Sequence, residues 1–235
     1  MKKTILTILT VSTLAGCAST VDNQALEAKI QQLEINQRLI AARLQMTSSV
    51  MPKEIEFMDG IQIGQVDAPY VVIEFTDLQC PYCSTFQQET FPEFKKNHID
   101  TGKVLYVARE FPLKSIHPNA TEAAVALRCS YQQQPQSYSS IKSDIFTNRD
   151  KLNHDFYQSI VAQYELNHEL FQSCMNSTDA VHSVDEAYKY AFGIGLNSTP
   201  SFIFGKNTGK SVIEYRIAKG ALTLENMEKA LETVK

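Results

Sequence analysis

Apolar residues along this chain change their spacing several times, and each change marks a different kind of structure. The first stretch is an apolar run from Thr4 to Ala15. From Val21 to Thr47 the pattern is periodic. Leu26, Ile30, Leu33, Ile40 and Leu44 recur on alternating four- and three-residue steps, with Gln37 in one slot and Asn23 and Thr47 extending the seam. That spacing predicts one continuous helix with about three heptads, near the lower limit for a coiled-coil seam. It supports either an oligomerising stalk or a monomeric spacer helix packed on its own domain. A polar stretch, TSSVMPKE, then leads into alternating strand and helix.

VVIEFTD (71–77) and VLYVAREF (104–111) are apolar and β-branched, as strands buried on both faces should be. Between them the pattern is helical from Cys80 to about His98, with Pro92 predicting a kink. Residues 118–195 contain no comparable strand; ATEAAVALRCSYQQQ, HDFYQSIVAQY, HELFQSCM and VDEAYKYAFGIG read as successive helices. Strand character returns at SFIFG (201–205) and SVIEYRIA (211–218), with residues 206–210 as a hairpin signal. TLENMEKALETV closes the chain as a helix, with Thr223 as its N-cap and Glu225 in its first turn. The resulting order, β-α-β, a helical block, then β-β-α, predicts an α/β fold with a helical insertion at about 115–195.

Length and charge narrow the setting. A chain of 235 residues can bury a substantial core. MKKTILTILTVSTLAGC has two lysines, an apolar run and small residues before Cys17, the layout of a secretory signal too short to span a bilayer. Leu14-Ala15-Gly16-Cys17 resembles the lipobox of bacterial lipoproteins, in which cleavage leaves the cysteine lipidated; a plain signal peptide is the alternative. The expected organisation is a signal at 1–16, a lipid-anchored helical stalk and linker at 17–52, and a main domain at 53–235. Removing residues 1–16 deletes two lysines and no acids, so the net charge moves from −4 to −6. That sign, without a basic tract, excludes nucleic acid as a partner. The expected location is the cell envelope, facing the periplasm, where disulfides persist. Ala18 after the lipid cysteine favours the outer over the inner membrane.

The candidate chemistry is Cys80-Pro81-Tyr82-Cys83. With Cys80 at the N-cap, Pro81 occupies N1, where its missing N–H costs nothing. The N–H groups of Tyr82 and Cys83 then lack helical partners. They and the helix dipole favour a thiolate at Cys80, an exposed nucleophile of depressed pKa, with Cys83 as the buried resolving partner. Zinc is the rival for a CxxC pair, and it needs two further ligands. The five histidines are scattered and no second CxxC exists, so no metal is expected, and no cofactor beyond a redox-active Cys80–Cys83 disulfide. His117 is a candidate either for the active face or for a loop contact.

The CPYC pair, the strand before it, Thr199-Pro200 and the order of elements resemble the thioredoxin fold with a helical insertion, as in the DsbA-like thiol-disulfide oxidoreductases. The resemblance covers roughly residues 55–235. It implies that Glu74 stands where relatives keep a buried acid; an isolated carboxylate there would have a raised pKa and could relay a proton from Cys83. It implies a cis Thr199-Pro200 bond in a loop that, with Pro81 and Tyr82, receives an extended substrate peptide. Some relatives carry a second disulfide in the insertion, so Cys129 and Cys174 are expected to pair; two separate buried thiols are the alternative. The implied function is disulfide donation to cysteine-containing envelope proteins, with a membrane redox partner that resets the pair. Tyr82 brings no positive charge where strongly oxidising relatives carry histidine, so isomerisation or reduction by an oligomer stays open. A noncatalytic peptide-binding holdase or adaptor is the reading from another class.

Overall fold

A computed structural model describes residues 23–43 and 51–235. The export signal, Cys17 and the seam positions Leu44 and Thr47 lie outside the described residues. Helix α1 (Asn23–Arg43) covers most of the periodic segment. Its seam residues Leu26, Ile30, Leu33 and Ile40 are 48, 48, 63 and 58 % exposed. Ile35, off that seam, is half-buried and approaches Gly193. The helix therefore rests on the domain by one side and leaves its heptad stripe in solvent. No helix among the described residues is long and apolar enough to cross a membrane.

The main domain is built on one six-stranded sheet in the order β1-β6-β5-β3-β4-β2. Strands β3 (Tyr70–Thr76) and β4 (Val104–Glu110) run parallel, and every other pairing is antiparallel. β5 (Ser201–Asn207) and β6 (Ser211–Lys219) form the expected hairpin. Two edge strands, β1 (Glu54–Glu56) and β2 (Ile61–Ile63), precede β3. At three residues each, they are too short to show a period in the sequence.

Side chains alternate across β3 and divide the core in two. Val71, Ile73 and Phe75 meet Leu105, Val107, Ile203 and Val212 on one face. Val72 faces Phe86, Phe91, Tyr106, Phe202 and Phe204 on the other. Glu74 shares the parity of Val72, so its carboxylate enters the second layer.

That layer is closed by the helical run after Cys80. The run comprises α2 (Pro81–Thr85) and α3 (Phe91–Phe94), each followed by a π-helical turn, at Phe86–Thr90 and Lys95–Ile99. Pro92 cannot donate into the ladder, and the turns widen on both sides of it rather than stopping. Five further helices lie between β4 and β5: α4 (Ala120–Gln133), α5 (Tyr138–Thr147), α6 (His154–Gln163), α7 (His168–Met175) and α8 (Thr178–Gly193). Helix α9 (Leu224–Glu232) ends the chain, and the Thr223 hydroxyl accepts from Asn226 N at 3.3 Å to cap it.

Cys129 of α4 and Cys174 of α7 are joined by a disulfide that closes a 45-residue separation. The chain-entropy relation gives about 4 kcal/mol for a loop of that length. A Cys129→Ser/Cys174→Ser variant should lose up to about that much in denaturant unfolding. An unchanged midpoint would show that α4 and α7 hold together without the bridge.

Candidate active site

The approach to the cysteine pair is set by Asp77, at the end of β3. Its Oδ1 accepts from Gln79 N at 2.8 Å, and its carbonyl accepts from Cys80 N at 3.0 Å. This tight turn swings the chain from strand into helix. Cys80 takes an extended conformation (φ −70°, ψ 123°) at the N-cap of α2, with Pro81 following in the first turn. Pro81 and Tyr82 are exposed, Tyr82 at 66 %.

Both cysteines are free thiols, so the pair stands in its dithiol state. Cys83 is fully buried. Cys80 was expected to be an exposed nucleophile and is not, with only 3 % of its surface accessible. The loop carrying Thr199 covers it: the Cys80 thiol donates to the Thr199 carbonyl at 3.4 Å. The Thr199–Pro200 bond is cis. Pro200 is buried, and its carbonyl accepts from Gly220 N at 2.8 Å.

The two sulfurs are driven apart in acidity. Hydrogen bonding from the Cys83 thiol is the largest influence lowering Cys80, to about 6 from the usual 9.0. Burial opposes it, while the Thr199 side chain and the backbone N–H groups of Cys83 and Tyr82 add to it. The helix terminus therefore contributes less than its neighbour thiol, and the Cys80 sulfur makes no capping hydrogen bond of its own. Burial pushes Cys83 well above the ordinary thiol range, and the charges of Cys80 and Glu74 push it further. One cysteine is thus poised as a thiolate and leaving group, the other as a thiol.

Reduced protein should show thiolate absorbance rising with a midpoint near pH 6. A midpoint near pH 9 would mean that Cys80 is not stabilised. A thiol whose folded pKa lies below its unfolded value stabilises the reduced fold fully above pH 9, and that contribution fades as pH falls through about 6. The advantage of the reduced over the oxidised form should shrink accordingly toward pH 6.

Glu74 is fully buried, which excludes a solvated strand end, but it is not isolated as expected. The Lys142 ammonium of α5, itself 1 % exposed, donates to Glu74 Oε2. Lys142 also stands 5.9 Å from the centre of the Phe91 ring and 5.8 Å from that of Phe146. Glu74 Oε1 has no hydrogen-bond partner among the described residues. Burial, and next the Glu74 carboxylate, hold the Tyr106 and Tyr138 phenols well above their usual range. The Glu74 carboxylate thus acts on Cys83 and Tyr106 from the same buried layer, balanced by a lysine from the insertion.

Asp77 and Lys142 were absent from the residues singled out by sequence. Asp77 Oδ2 accepts from Leu113 N at 2.7 Å and bonds His117 Nδ1 at 2.8 Å. His117 is thereby a loop contact on the active-site side of the sheet. An aspartate closing a buried strand just before a CxxC is a signal that could have marked the first. Nothing local marks Lys142.

The family profile described as Thioredoxin matches residues 57–233. The chain belongs to the thioredoxin family. Within that family its solved neighbours include alpha-DsbA1 of Wolbachia pipientis, at 27 % identity and a TM-score of 0.67, over 80 % of this chain and 94 % of that one. A putative protein-disulfide oxidoreductase of Rickettsia prowazekii is 32 % identical over 91 residues, 37 % of this chain and 32 % of the relative. A Na(+)/H(+) antiporter NhaA 1 of Mycolicibacterium gilvum is 32 % identical over 146 residues, 61 % of this chain. The chain spans under a quarter of that antiporter's length, 23 %. The shared architecture is DsbA-like, a thioredoxin sheet with helices inserted before the cis-proline strand.

Proposed function

We propose that this chain is a cell-envelope thiol-disulfide oxidoreductase that passes disulfides to cysteine-containing proteins. The observation that carries the reading is the CPYC pair at the start of α2, with the Cys80 thiol bonded to the Thr199 carbonyl of the cis-proline loop and Cys83 fully buried. In the oxidised enzyme a substrate thiolate attacks Cys80 Sγ, and the Cys80–Cys83 bond breaks with Cys83 as the leaving thiolate. A second substrate thiolate then attacks the substrate sulfur of the mixed disulfide and releases Cys80 as a thiolate. The substrate loses two electrons and the enzyme gains them as a dithiol. Stabilising the Cys80 thiolate favours that reduced product and so makes the disulfide more oxidising. Glu74 acts in the reverse step, taking the proton from Cys83 when that thiol resolves a mixed disulfide.

Resetting requires a redox partner at the membrane, and the lipobox around Cys17 supplies the anchor, in the outer membrane by the identity of Ala18. The decisive experiment is the reduction potential of the Cys80/Cys83 couple against glutathione. A value well above the glutathione pool fits a donor, and a thioredoxin-like reducing value overturns it. The exposed stripe on α1 favours a second reading, in which stalks assemble and the same chemistry isomerises substrates within a cleft. Light scattering on chains with and without residues 18–50 separates the two: the same mass per particle, corrected for the deleted length, leaves the monomeric donor.

A further inference from the structure

Glu74 is taken at one oxygen and open at the other. Lys142 donates to Oε2, and Oε1 has no hydrogen-bond partner among the described residues. The Tyr106 hydroxyl, a second buried polar group in the same layer, is in the same condition. Buried polar atoms are ordinarily paired, so two unpaired ones in one layer ask for a reason.

Strand register brings them to one place. β3 and β4 run parallel, with Val72 opposite Tyr106 and Glu74 opposite Ala108. Side chains alternate along each strand, so Glu74 and Tyr106 share a face as diagonal neighbours, a spacing that an aromatic side chain spans. Ala108 beside Glu74 carries only a methyl group, and Phe202, opposite Glu74 on β5, offers no polar side-chain atom. The Tyr106 ring is fully buried and packs on Phe91 with centroids 4.9 Å apart, the same ring that Lys142 approaches. After burial, the influences that raise the Tyr106 phenol are the charge of Glu74, the pull of that carboxylate on the hydroxyl proton, then Tyr138 and Cys83. The hydroxyl is therefore turned to the carboxylate without closing a hydrogen bond. Tyr138 is placed differently, since Glu110 and Arg128 act on it besides Glu74.

The Cys83 proton gives these two oxygens a use. When Cys83 resolves a mixed disulfide, its S–H bond breaks and its sulfur forms the bond to Cys80. The bond from Cys80 to the substrate sulfur breaks, and the substrate leaves as a thiolate. The enzyme loses two electrons and the substrate gains them. Glu74 Oε1 is the oxygen free to take the proton, because Oε2 is bonded to Lys142. The carboxyl O–H so formed needs an acceptor in a layer otherwise lined by Val72, Phe86, Phe91 and Phe202. A tyrosine hydroxyl both donates and accepts, so it serves the carboxylate before the transfer and the carboxyl after it.

We propose that Tyr106 is a positioning residue for the resolving step: its hydroxyl orients Glu74 Oε1 to take the Cys83 proton and then accepts a hydrogen bond from the carboxyl. The inference rests on the exchange function and the Glu74 role proposed above.

The test mixes the full reduced chain with dithiobis(nitrobenzoate), an aromatic disulfide whose thiolate is coloured, in a stopped-flow cell. The first coloured thiolate reports attack by Cys80, and the second reports resolution by Cys83. Tyr106→Phe keeps the ring on Phe91 and removes only the hydroxyl. It should slow the second phase about tenfold, the worth of one buried hydrogen bond, and leave the first unchanged. Its denaturation midpoint should not fall, because the hydroxyl it loses had no partner. Added to the Glu74→Leu/Lys142→Met background, the same substitution should cost nothing further, since no carboxylate is left to position. An unchanged second phase, or equal slowing of both phases, would overturn the role while leaving exchange intact. So would a further tenfold loss in the background without Glu74, which would make Tyr106 a packing residue. Absence of the second thiolate from the unmodified protein removes the exchange function and this inference with it.

Discussion

Cys80→Ser should abolish both insulin reduction and oxidation of reduced ribonuclease, lowering each by about three orders of magnitude or more, the scale of losing a nucleophile. Ionisation and geometry act together here. Cys80 is the only sulfur of the pair whose surroundings favour the thiolate, and only the thiolate attacks or leaves efficiently. Cys83 cannot substitute, because burial and the charges of Cys80 and Glu74 hold it as a thiol. Cys83→Ala should behave differently. Cys80 keeps its attack, the resolving thiol is gone, and mixed disulfides with client proteins should accumulate on gels run without reductant. Exchange retained at the wild-type rate in Cys80→Ser would sink the enzymatic function, and an empty trap in Cys83→Ala would favour a noncatalytic adaptor.

What was legible beforehand follows from how local each signal is. β3 and β4 announce themselves because strands buried on both faces are apolar throughout. The CPYC helix start is legible because Pro81 has one favourable place in a helix. Helix α5 was not read, although Tyr138, Ile141, Ile145 and Phe146 do share a face. Three serines and a closing threonine dilute its apolar signal, and no side chain caps its start. Lys142 sits on that apolar face, where sequence alone reads a lysine as the solvated edge of a helix. Its meaning depends on Glu74, which lies 68 residues earlier and meets it only once the insertion folds onto the sheet. The covered state of Cys80 has the same origin, since the loop over it arrives 119 residues later. The α1 seam shows the converse: its period was plain, but which side would meet the domain was not.

Lys142→Met should destabilise the protein by about 3–5 kcal/mol at neutral pH, the usual cost of removing one partner from a buried ion pair. Glu74 would be left fully buried with no cation. Adding Glu74→Leu should recover much of the loss, because two apolar side chains need no compensating charge, and measured cycles of this kind are non-additive. The function should not recover with it. The double variant has no carboxylate to take the Cys83 proton, so single-turnover resolution of mixed disulfides should slow by about a hundredfold, the lower range for losing a general acid–base group. A loss below about 1 kcal/mol in Lys142→Met would place the pair in effective contact with water. Unchanged resolution in the stable double variant would leave Glu74 and Lys142 as a joint between sheet and insertion, with no part in moving the proton.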